Sequence, residues 1–491
     1  MNLGLEHSYS QLPSRFFARV APEPARAPAL LVFNEPLARE LDLPYARTDA
    51  QRHAWAQALS GNRPPDDARP LAMAYAGHQF AHFVAELGDG RALLLGEKRH
   101  GGRRYDIQLK GSGRTPFSRG GDGRAALGPM LREYLVSEAM HALGIPTTRS
   151  LAVVATGEPV FRDSVLPGAV LTRVATSHLR VGTFQYFRAR NDVEGLRLLL
   201  DYAIARHDPD LAAADSRALA FLERVAQRQA SLIAQWMSVG FIHGVMNTDN
   251  MTLSGETIDY GPCAFMDHYD PHTVFSSIDR RGRYAFGNQP AIAQWNLARL
   301  ADALLPLIEP DEQRAIGLAT VPVQRFAADF DLGFRQRMGA KLGLMSVRDA
   351  DAPLISDLLM ALHVGHADFT SSLRALADAA LGAAHEEGFR QQFREPAAVD
   401  EWLAAWRRRL ATEGATPTQV REGIRSANPA FIARNHRVEQ ALAAASDHGD
   451  LAPFTRLLTV LQQPFADQPG MEDLARPPRD DERVAATFCG T

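Results

Sequence analysis

The chain has 491 residues and a formal net charge of −4, from 53 Lys and Arg residues against 57 Asp and Glu residues. Hydrophobic residues make up 46% of the sequence, enough to bury more than one core. The near balance of charge argues against a nucleic-acid-binding protein, which would usually present a basic face. The sequence contains neither an apolar run of about 18 residues nor the apolar core of a signal peptide. We therefore expect a cytoplasmic protein without a nucleic-acid or membrane partner.

The rare residue types carry information. Cys263 and Cys489 are the two cysteines, too few for a disulfide framework or a four-cysteine zinc site. Lysine occurs at three positions, Lys98, Lys110 and Lys341, so nearly all of the basic residues are arginines. A retained lysine is then a mild sign that the compact ammonium group is needed at that place.

The first part of the chain is predicted to be rich in strands. Residues 1–70, with short helical stretches such as Glu35–Leu41, predict an N-terminal extension wrapped on the main fold. Apolar runs bounded by glycines predict a β-meander over residues 81–110. Helical spacing of apolar residues predicts a helix over 122–143. Three short strands should follow, in the sequences SLAVVAT, EPVFR and GAVLTRV.

The second part is predicted to be mainly helical. Asp215–Val239 is one long amphipathic segment, and two short strands are expected near Met251–Leu253 and Thr257–Ile258. Pro290–Leu461 is rich in Ala, Leu and Arg, which favours helices, and the residues after 463 predict an exposed arm. Strands with one helix followed by helices indicate an α+β fold.

A Gly-x-Gly turn occurs in Leu87–Ala92, in the sequence LGDGRA. Backbone N–H groups in such a turn can approach phosphate oxygens closely, because glycine has no side chain. By itself the tripeptide also suits an ordinary hairpin turn. The chain lacks a Walker A motif, which argues against a P-loop NTPase.

Lys110 stands at the end of a predicted strand, Tyr105–Leu109. A lysine there corresponds to the one that contacts ATP phosphates in kinase folds; the alternative is an exposed lysine at a strand end. The tract Gly111–Arg124 holds five glycines and three arginines, which suits phosphate binding or a flexible solvated loop. On the next helix Glu133 is placed to pair with Lys110, and Glu138 is its rival.

The strongest pattern is FIHGVMNTDN, Phe241–Asn250, followed by IDYG. A His-Gly turn, an Asp-Asn pair and then Asp-aromatic-Gly occur in the order of a kinase catalytic loop and metal-binding segment. Mg²⁺ prefers hard oxygen ligands, which Asn250 and Asp259 can supply. Protein kinases carry the catalytic Asp five residues before that Asn, where this chain has Val245. Asp249 is the carboxylate that remains in the loop.

Arg173 and Arg180 lie at the predicted junction between the two parts of the chain. Two arginines there can bind phosphates in bidentate fashion, and surface ion pairs are the equal alternative. The acidic segment DHYDPH, Asp267–His272, is expected to cap turns rather than to bind a metal.

Several long stretches together resemble the selenoprotein O family of kinase-like proteins. They are AYAGHQFAHFV, LGDGRALLLGE, DIQLKGSGRTPFSRGGDGRAALGPMLREYLVSEAM, HGVMNTDNM, TIDYGP and NPAFIARNH. The resemblance implies a protein-kinase-like bilobal fold with a β-rich N-lobe and a mainly helical C-lobe. The expected divisions are an N-terminal extension (1–70), the N-lobe (71–185), the C-lobe (186–462) and a C-terminal tail (463–491).

The resemblance also implies a protein adenylyltransferase, which moves AMP from ATP to Ser, Thr or Tyr hydroxyls of proteins, its own chain included, and releases pyrophosphate. ATP would sit flipped relative to a kinase, with Mg²⁺ or Mn²⁺ held by Asn250 and Asp259. Lys110 and Glu133 would form the ion pair, and Asp249 would be the base. The nucleotide would be contacted by Gly88, Gly90, Arg91, Lys110, Asp122, Gly123, Glu133, Arg173, Arg180 and Asp259.

Members of this family often carry a selenocysteine or cysteine near the C-terminus, which Cys489 matches. We expect that residue in a mobile, exposed tail. Some bacterial members have a partner cysteine in the segment after the metal-binding Asp. Here Phe275–Ser277 occupies that place, and Cys263 lies earlier.

Two other functions stay open. The protein could be a true kinase for a protein or a small molecule, against which Val245 argues because the usual base is absent. It could also be a non-catalytic ATP-binding scaffold, which would have less need of Lys110, Asn250 and Asp259. Metal-dependent turnover would separate these two alternatives.

Overall fold

A computed structural model describes residues 1–488. Cys489, which the sequence suggests as a regulatory residue, lies outside the described residues. The strands are β1 (Leu5–Glu6), β2 (Phe17–Arg19), β3 (Ala29–Phe33), β4 (Leu71–Met73), β5 (Gly77–Gln79), β6 (His82–Val84), β7 (Ala92–His100), β8 (Arg103–Lys110), β9 (Arg149–Phe161), β10 (Val165–Ala175), β11 (Phe241–Ile242) and β12 (Ala264–Phe265).

Most helices follow the strands of the main sheet in the chain, and the first three lie between those strands. They are α1 (Glu35–Glu40), α2 (Asp49–Leu59), α3 (Leu127–Ala142), α4 (Val181–Ala189), α5 (Val193–His207), α6 (Arg217–Ser238), α7 (Gln289–Ile308), α8 (Glu312–Lys341), α9 (Ala352–Val364), α10 (Phe369–Ala379), α11 (Glu387–Arg390), α12 (Asp400–Leu410), α13 (Pro417–Ala427), α14 (Asn435–His448), α15 (Ala452–Leu461) and α16 (Glu472–Ala475).

The main sheet is antiparallel, with the order β2-β4-β7-β8-β10-β9-β3, and β1 pairs with β7. Successive side chains of a strand point to opposite faces. In β8 Ile107 and Leu109 enter the core shared with α1 and α2, while Lys110 faces α3. The predicted α+β composition with an antiparallel sheet is confirmed.

The N-terminal segment is part of the sheet rather than an extension wrapped around it. Its strands β1, β2 and β3 pair with β7, β4 and β9. The side chains of Leu37, Trp55 and Leu59 on α1 and α2 are buried against the sheet face opposite α3. The segment is rich in proline and arginine, so its sequence shows no strand pattern. Its short strands pair with strands that lie far away in the sequence.

Two predictions about local structure are wrong. The first two of the three predicted strands form one, β9, because Gly157 adopts a φ of +71° inside the strand and bends it without ending it. The predicted helix over 122–143 begins only at Leu127, since Arg124 and Ala126 pair with Ser112 and Gly168.

The strands predicted near Met251–Leu253 and Thr257–Ile258 are only isolated bridges in the structure. Thr252 pairs instead with Arg180, and Thr257 with Thr147, so both stretches join this loop to the first part of the chain. The two-residue strands β11 and β12 pair with each other and close the long loop between them. That loop carries the Asp-Asn and Asp-aromatic-Gly motifs.

The C-terminal tail is not a fully exposed arm, as the sequence suggested. Thr487 is buried and pairs with Ser276, and its hydroxyl donates a hydrogen bond of 2.6 Å to the Pro262 carbonyl oxygen. Leu474 on α16 is buried as well. Within residues 1–488, no helix has the length and apolar character needed to cross a membrane.

Helix α3 is attached to the C-terminal helices by Arg132, which is buried. Its guanidinium donates hydrogen bonds of 3.0 Å to the Cys263 carbonyl oxygen and 3.0 Å to the Asn435 side chain. It also forms an ion pair with Glu439 on α14. Arg132 therefore connects α3, the loop after β11 and the NPAFIARNH stretch.

Replacing this arginine should destabilise the protein. We expect Arg132→Ala to lower the free energy of unfolding by about 2–4 kcal/mol, because two buried acceptors lose a charged donor. Arg217→Ala is the control, since the Arg217–Asp201 pair is 39% and 44% exposed and should contribute less than about 1 kcal/mol. Urea denaturation of both variants measures the difference, and equal losses would contradict the role given to Arg132.

Candidate active site

A cleft of about 450 Å³ is lined by side chains of the sheet half and of the loop between β11 and β12. It brings together the predicted site residues, although they are spread over the first half of the sequence. Those that line it are Gly88, Gly90, Arg91, Lys110, Asp122, Gly123, Arg173, Arg180, Asp249, Asn250 and Asp259. Glu133 lies behind this surface and contacts two of its cations.

Glu133 binds both Lys110 and Arg173. Its carboxylate lies 2.6 Å from the Lys110 ammonium and accepts a hydrogen bond of 2.7 Å from Nε of Arg173. Burial opposes the ionisation of Glu133, but Arg173 and Lys110 outweigh it and hold its pKa below the usual value. The rival Glu138 instead accepts two hydrogen bonds of 2.8 Å from Arg149.

Asp259 forms the other contact of Lys110. Its carboxylate lies 2.7 Å from the ammonium. Burial raises the pKa of Asp259, but Lys110 and Arg173, with a smaller contribution from Arg91, lower it well below the usual value. Asp259 also adopts a φ of +67°, a left-handed conformation that few non-glycine residues adopt and that recurs at active sites.

Asn250 and Asp259 lie side by side. The Asn250 amide nitrogen donates a hydrogen bond of 3.1 Å to the Val245 carbonyl oxygen and lies 3.4 Å from Asp259 Oδ2. Within residues 1–488, no group of three or more His, Cys, Asp or Glu side chains is placed to hold a metal. One carboxylate and one amide oxygen nevertheless fit Mg²⁺ or Mn²⁺, which can take further ligands from phosphates and water.

Asp249 is buried at the cleft, and its Oδ1 atom has no hydrogen-bond partner among the described residues. Burial raises the pKa of this carboxyl to about 6, against the effect of Arg180. Gly77 packs directly on it: a Cβ atom there would lie 2.7 Å from Asp249 Oδ1. Asp249 is thus held against Gly77 at the edge of the cleft, and its buried Oδ1 atom keeps an unused hydrogen-bonding capacity.

Arg180 is fixed by the aromatic ring of Tyr75. Its guanidinium carbon lies 4.4 Å from the ring centroid, and Nη1 donates a hydrogen bond of 3.0 Å to the Asp249 backbone oxygen. Tyr75 is a cleft residue that the sequence argument missed, although it lies in the AYAGHQFAHFV stretch. A single aromatic residue carries no spacing signal of its own.

The glycine turn and the glycine- and arginine-rich tract form one structure. The turn joins β6 to β7, which do not pair with each other, so the hairpin alternative is wrong. A Cβ atom on Gly88 would lie 2.2 Å from the Phe117 ring. The Thr115 hydroxyl donates a hydrogen bond of 2.7 Å to the Asp89 carbonyl oxygen, and Ser118 donates one to Gly90.

Asp122 and Gly123 shape the far side of this tract. Arg162 donates hydrogen bonds of 2.8 and 3.1 Å to the Asp122 carboxylate and lowers its pKa. Gly123 has a φ of +67°, and a Cβ atom there would lie 2.0 Å from the Gly113 carbonyl oxygen. Arg162 was missed because its sequence, EPVFR, indicates only a strand.

Asp267 does not belong to the cleft. It forms an ion pair of 2.6 Å with Arg434, which also binds Asp368 at 2.9 Å. The structure therefore places Asp267 in an ion-pair network with the buried residues Arg434 and Asp368, outside the set of residues that line the cleft.

Comparison with known proteins identifies the family of the chain. The family model described as "Protein adenylyltransferase SelO" matches residues 1–462. A protein of Methylorubrum extorquens (strain PA1) named "Protein nucleotidyltransferase YdiU" is 57% identical over 492 residues, which cover 99% of each chain. Relatives of the same name from Bradyrhizobium sp. (strain ORS 278) and Rhizobium meliloti (strain 1021) are 58% and 56% identical over 99% of each chain. The chain is a protein nucleotidyltransferase and belongs to the SelO family of protein adenylyltransferases.

Proposed function

We propose that this protein transfers AMP from ATP to Ser, Thr or Tyr hydroxyls of other proteins and of its own chain, and releases pyrophosphate. We also propose that residues 71–185 and 186–462 form the two lobes of a protein-kinase-like fold, with residues 1–70 adding three strands to the sheet of the first lobe and residues 463–491 forming a tail. The cleft at which the two lobes meet would hold the nucleotide. We propose the cytoplasm as the location of the protein.

One observation carries the proposal: three of the four Asp carboxylates that line the cleft have hydrogen-bond or ion-pair partners, and the fourth has an oxygen without one. Asp122 is bonded to Arg162 and Asp259 to Lys110. Asp89 accepts hydrogen bonds from the Met73 amide (3.1 Å) and the Gln108 side chain (3.2 Å). Asp249 is the one of the four Asp residues lining the cleft that presents a buried oxygen without a partner in the described chain.

Asp249 would act as the base. Its carboxylate would accept the proton of the acceptor hydroxyl, whose oxygen attacks the α-phosphorus. The bond from the α-phosphorus to the bridging oxygen breaks, and pyrophosphate leaves. Val245, at the position of the kinase base, cannot accept a proton.

The cations on the other side of the cleft would hold the leaving group. Lys110 and Arg173 are fixed by Glu133, so they need not reorganise when charge develops on pyrophosphate. Arg91 and Arg119 line the same cleft. This distribution of charge favours β- and γ-phosphates beside Lys110 and Arg173, with the α-phosphorus towards Asp249.

Asn250 and Asp259 would hold Mg²⁺ or Mn²⁺. The metal, when bound, would neutralise part of the negative charge on the phosphates.

The position of the transferred label tests the reaction. ATP labelled at the α-phosphate should label protein substrates and the enzyme itself, with a mass gain that matches AMP, because pyrophosphate is the leaving group. ATP labelled at the γ-phosphate should transfer nothing. Transfer of the γ-label alone would make the protein a kinase and overturn the proposal.

Replacing the proposed base should remove most of the transfer. We expect Asp249→Asn to reduce the rate of AMP transfer by about 10²–10⁴-fold, the usual contribution of a positioned base, with a smaller change in ATP affinity.

Glu256→Gln is the control for that variant. Glu256 is another buried carboxyl, whose pKa burial raises to about 7, but it accepts hydrogen bonds from Thr176 (2.7 Å) and Ser254 (3.0 Å) and does not line the cleft. It should keep most of the activity, measured with the α-label. A similar loss in both variants would mean that burial, not base catalysis, explains the Asp249 result.

A further inference from the structure

A groove of about 740 Å³ lies beside the nucleotide cleft. Its walls are residues 80–82, residues 278–283 and residues 288–292 at the start of α7. Phe80 and Ile278 line both the groove and the cleft, so the two are continuous. A chain segment lying in the groove would therefore have one end at the cleft entrance.

The groove carries positive charge that residues 1–488 leave without an ion-pair partner. Arg280 and Arg281 are exposed, and neither forms an ion pair or a side-chain hydrogen bond within residues 1–488. Asp279 is the one acidic residue in the walls, and its carboxylate accepts hydrogen bonds from the backbone N–H groups of Arg283 (2.9 Å) and Tyr284 (2.7 Å). It thus shapes the turn instead of pairing with Arg280 or Arg281.

The groove also has an apolar part. Ile278 is 55% exposed where the groove meets the cleft, and the exposed residues Ala81 and Ala291 line the same groove. Exposed apolar surface bordered by charge is typical of a protein-binding surface.

The groove is held at a fixed position relative to Asp249. The side-chain oxygen of Asn247 accepts hydrogen bonds from the Phe80 N–H (3.0 Å) and the Tyr284 hydroxyl (2.6 Å). Phe80 and Tyr284 also contact each other, with ring centroids 5.0 Å apart. Asn247 lies in the same loop as Asp249. The wall at residues 80–82 and the wall that ends beside Tyr284 are therefore connected to the proposed base.

We propose that this groove binds the segment of the protein substrate that carries the modified hydroxyl, and that it selects extended segments with Asp or Glu beside that residue. The acidic side chains would pair with Arg280 and Arg281, and an apolar side chain would contact Ile278. This inference rests on the proposed function, since it names the substrate class of the same site.

The test uses the full chain and two fluorescent peptides of equal length. Each has a central Tyr, flanked in one peptide by Asp and Glu and in the other by Lys and Arg. Fluorescence anisotropy, with a non-hydrolysable ATP analogue present, measures binding without turnover. The wild type should bind the acidic peptide about tenfold more tightly than the basic peptide, since two exposed ion pairs make a modest contribution to the free energy of binding. The double variant Arg280→Glu with Arg281→Glu should lose or invert that preference.

Arg103→Glu with Arg408→Glu is the matched control, because both arginines are exposed and outside the groove. It should keep the preference of the wild type, and ATP affinity should be unchanged in both double variants. If the preference is absent in the wild type, or survives the groove substitutions, the inference is overturned.

Transfer of the α-label to the same peptides separates the two proposals. The groove substitutions should raise KM for the acidic peptide and leave kcat unchanged. Label transfer that is independent of Arg280 and Arg281 would overturn the groove but leave adenylylation standing. Binding that depends on these arginines, without transfer of AMP to any peptide or protein, would support the groove and contradict the proposed function.

Discussion

The active site depends on one buried carboxylate that binds two cations. Glu133 holds Lys110 at 2.6 Å and Arg173 at 2.7 Å, and without it Arg173 would lose its carboxylate partner in the interior and Lys110 would keep only Asp259, which is costly. Lys110 in turn contacts Asp259 at 2.7 Å. The position of the proposed metal ligand therefore follows from the same carboxylate that positions the cations proposed to bind phosphate.

Strand alternation and the packing of α3 bring these groups together. The alternation of β8 and β10 places Lys110 and Arg173 on the sheet face that α3 covers, while the neighbouring aliphatic side chains enter the opposite core. On α3, Glu133 contacts the sheet, and the preceding residue, Arg132, binds α14 and the Cys263 carbonyl oxygen. The helix that carries the central carboxylate is thus attached on both sides, which ties the C-terminal helices to the geometry of the cleft.

Much of the cleft could be predicted because its residues occur in stretches with local spacing, such as HGVMNTDN and IDYG. Tyr75 and Arg162 could not, since each reaches the cleft through packing that involves residues far away in the sequence. The same dependence on residues that are far away in the sequence explains the wrong predictions about the fold. Gly157 resembles a turn signal but lies within a strand, and the N-terminal strands are too short to show a pattern without their partners.

The central claim is that these fixed cations hold the β- and γ-phosphates and leave the α-phosphorus near Asp249. A crystal structure of the protein with a non-hydrolysable ATP analogue and Mg²⁺ tests it most directly. We expect the α-phosphorus to be the phosphorus atom nearest to the Asp249 carboxylate, with the β- and γ-phosphates beside Lys110. A γ-phosphorus nearest to Asp249, with the α-phosphate deep in the cleft, would contradict it.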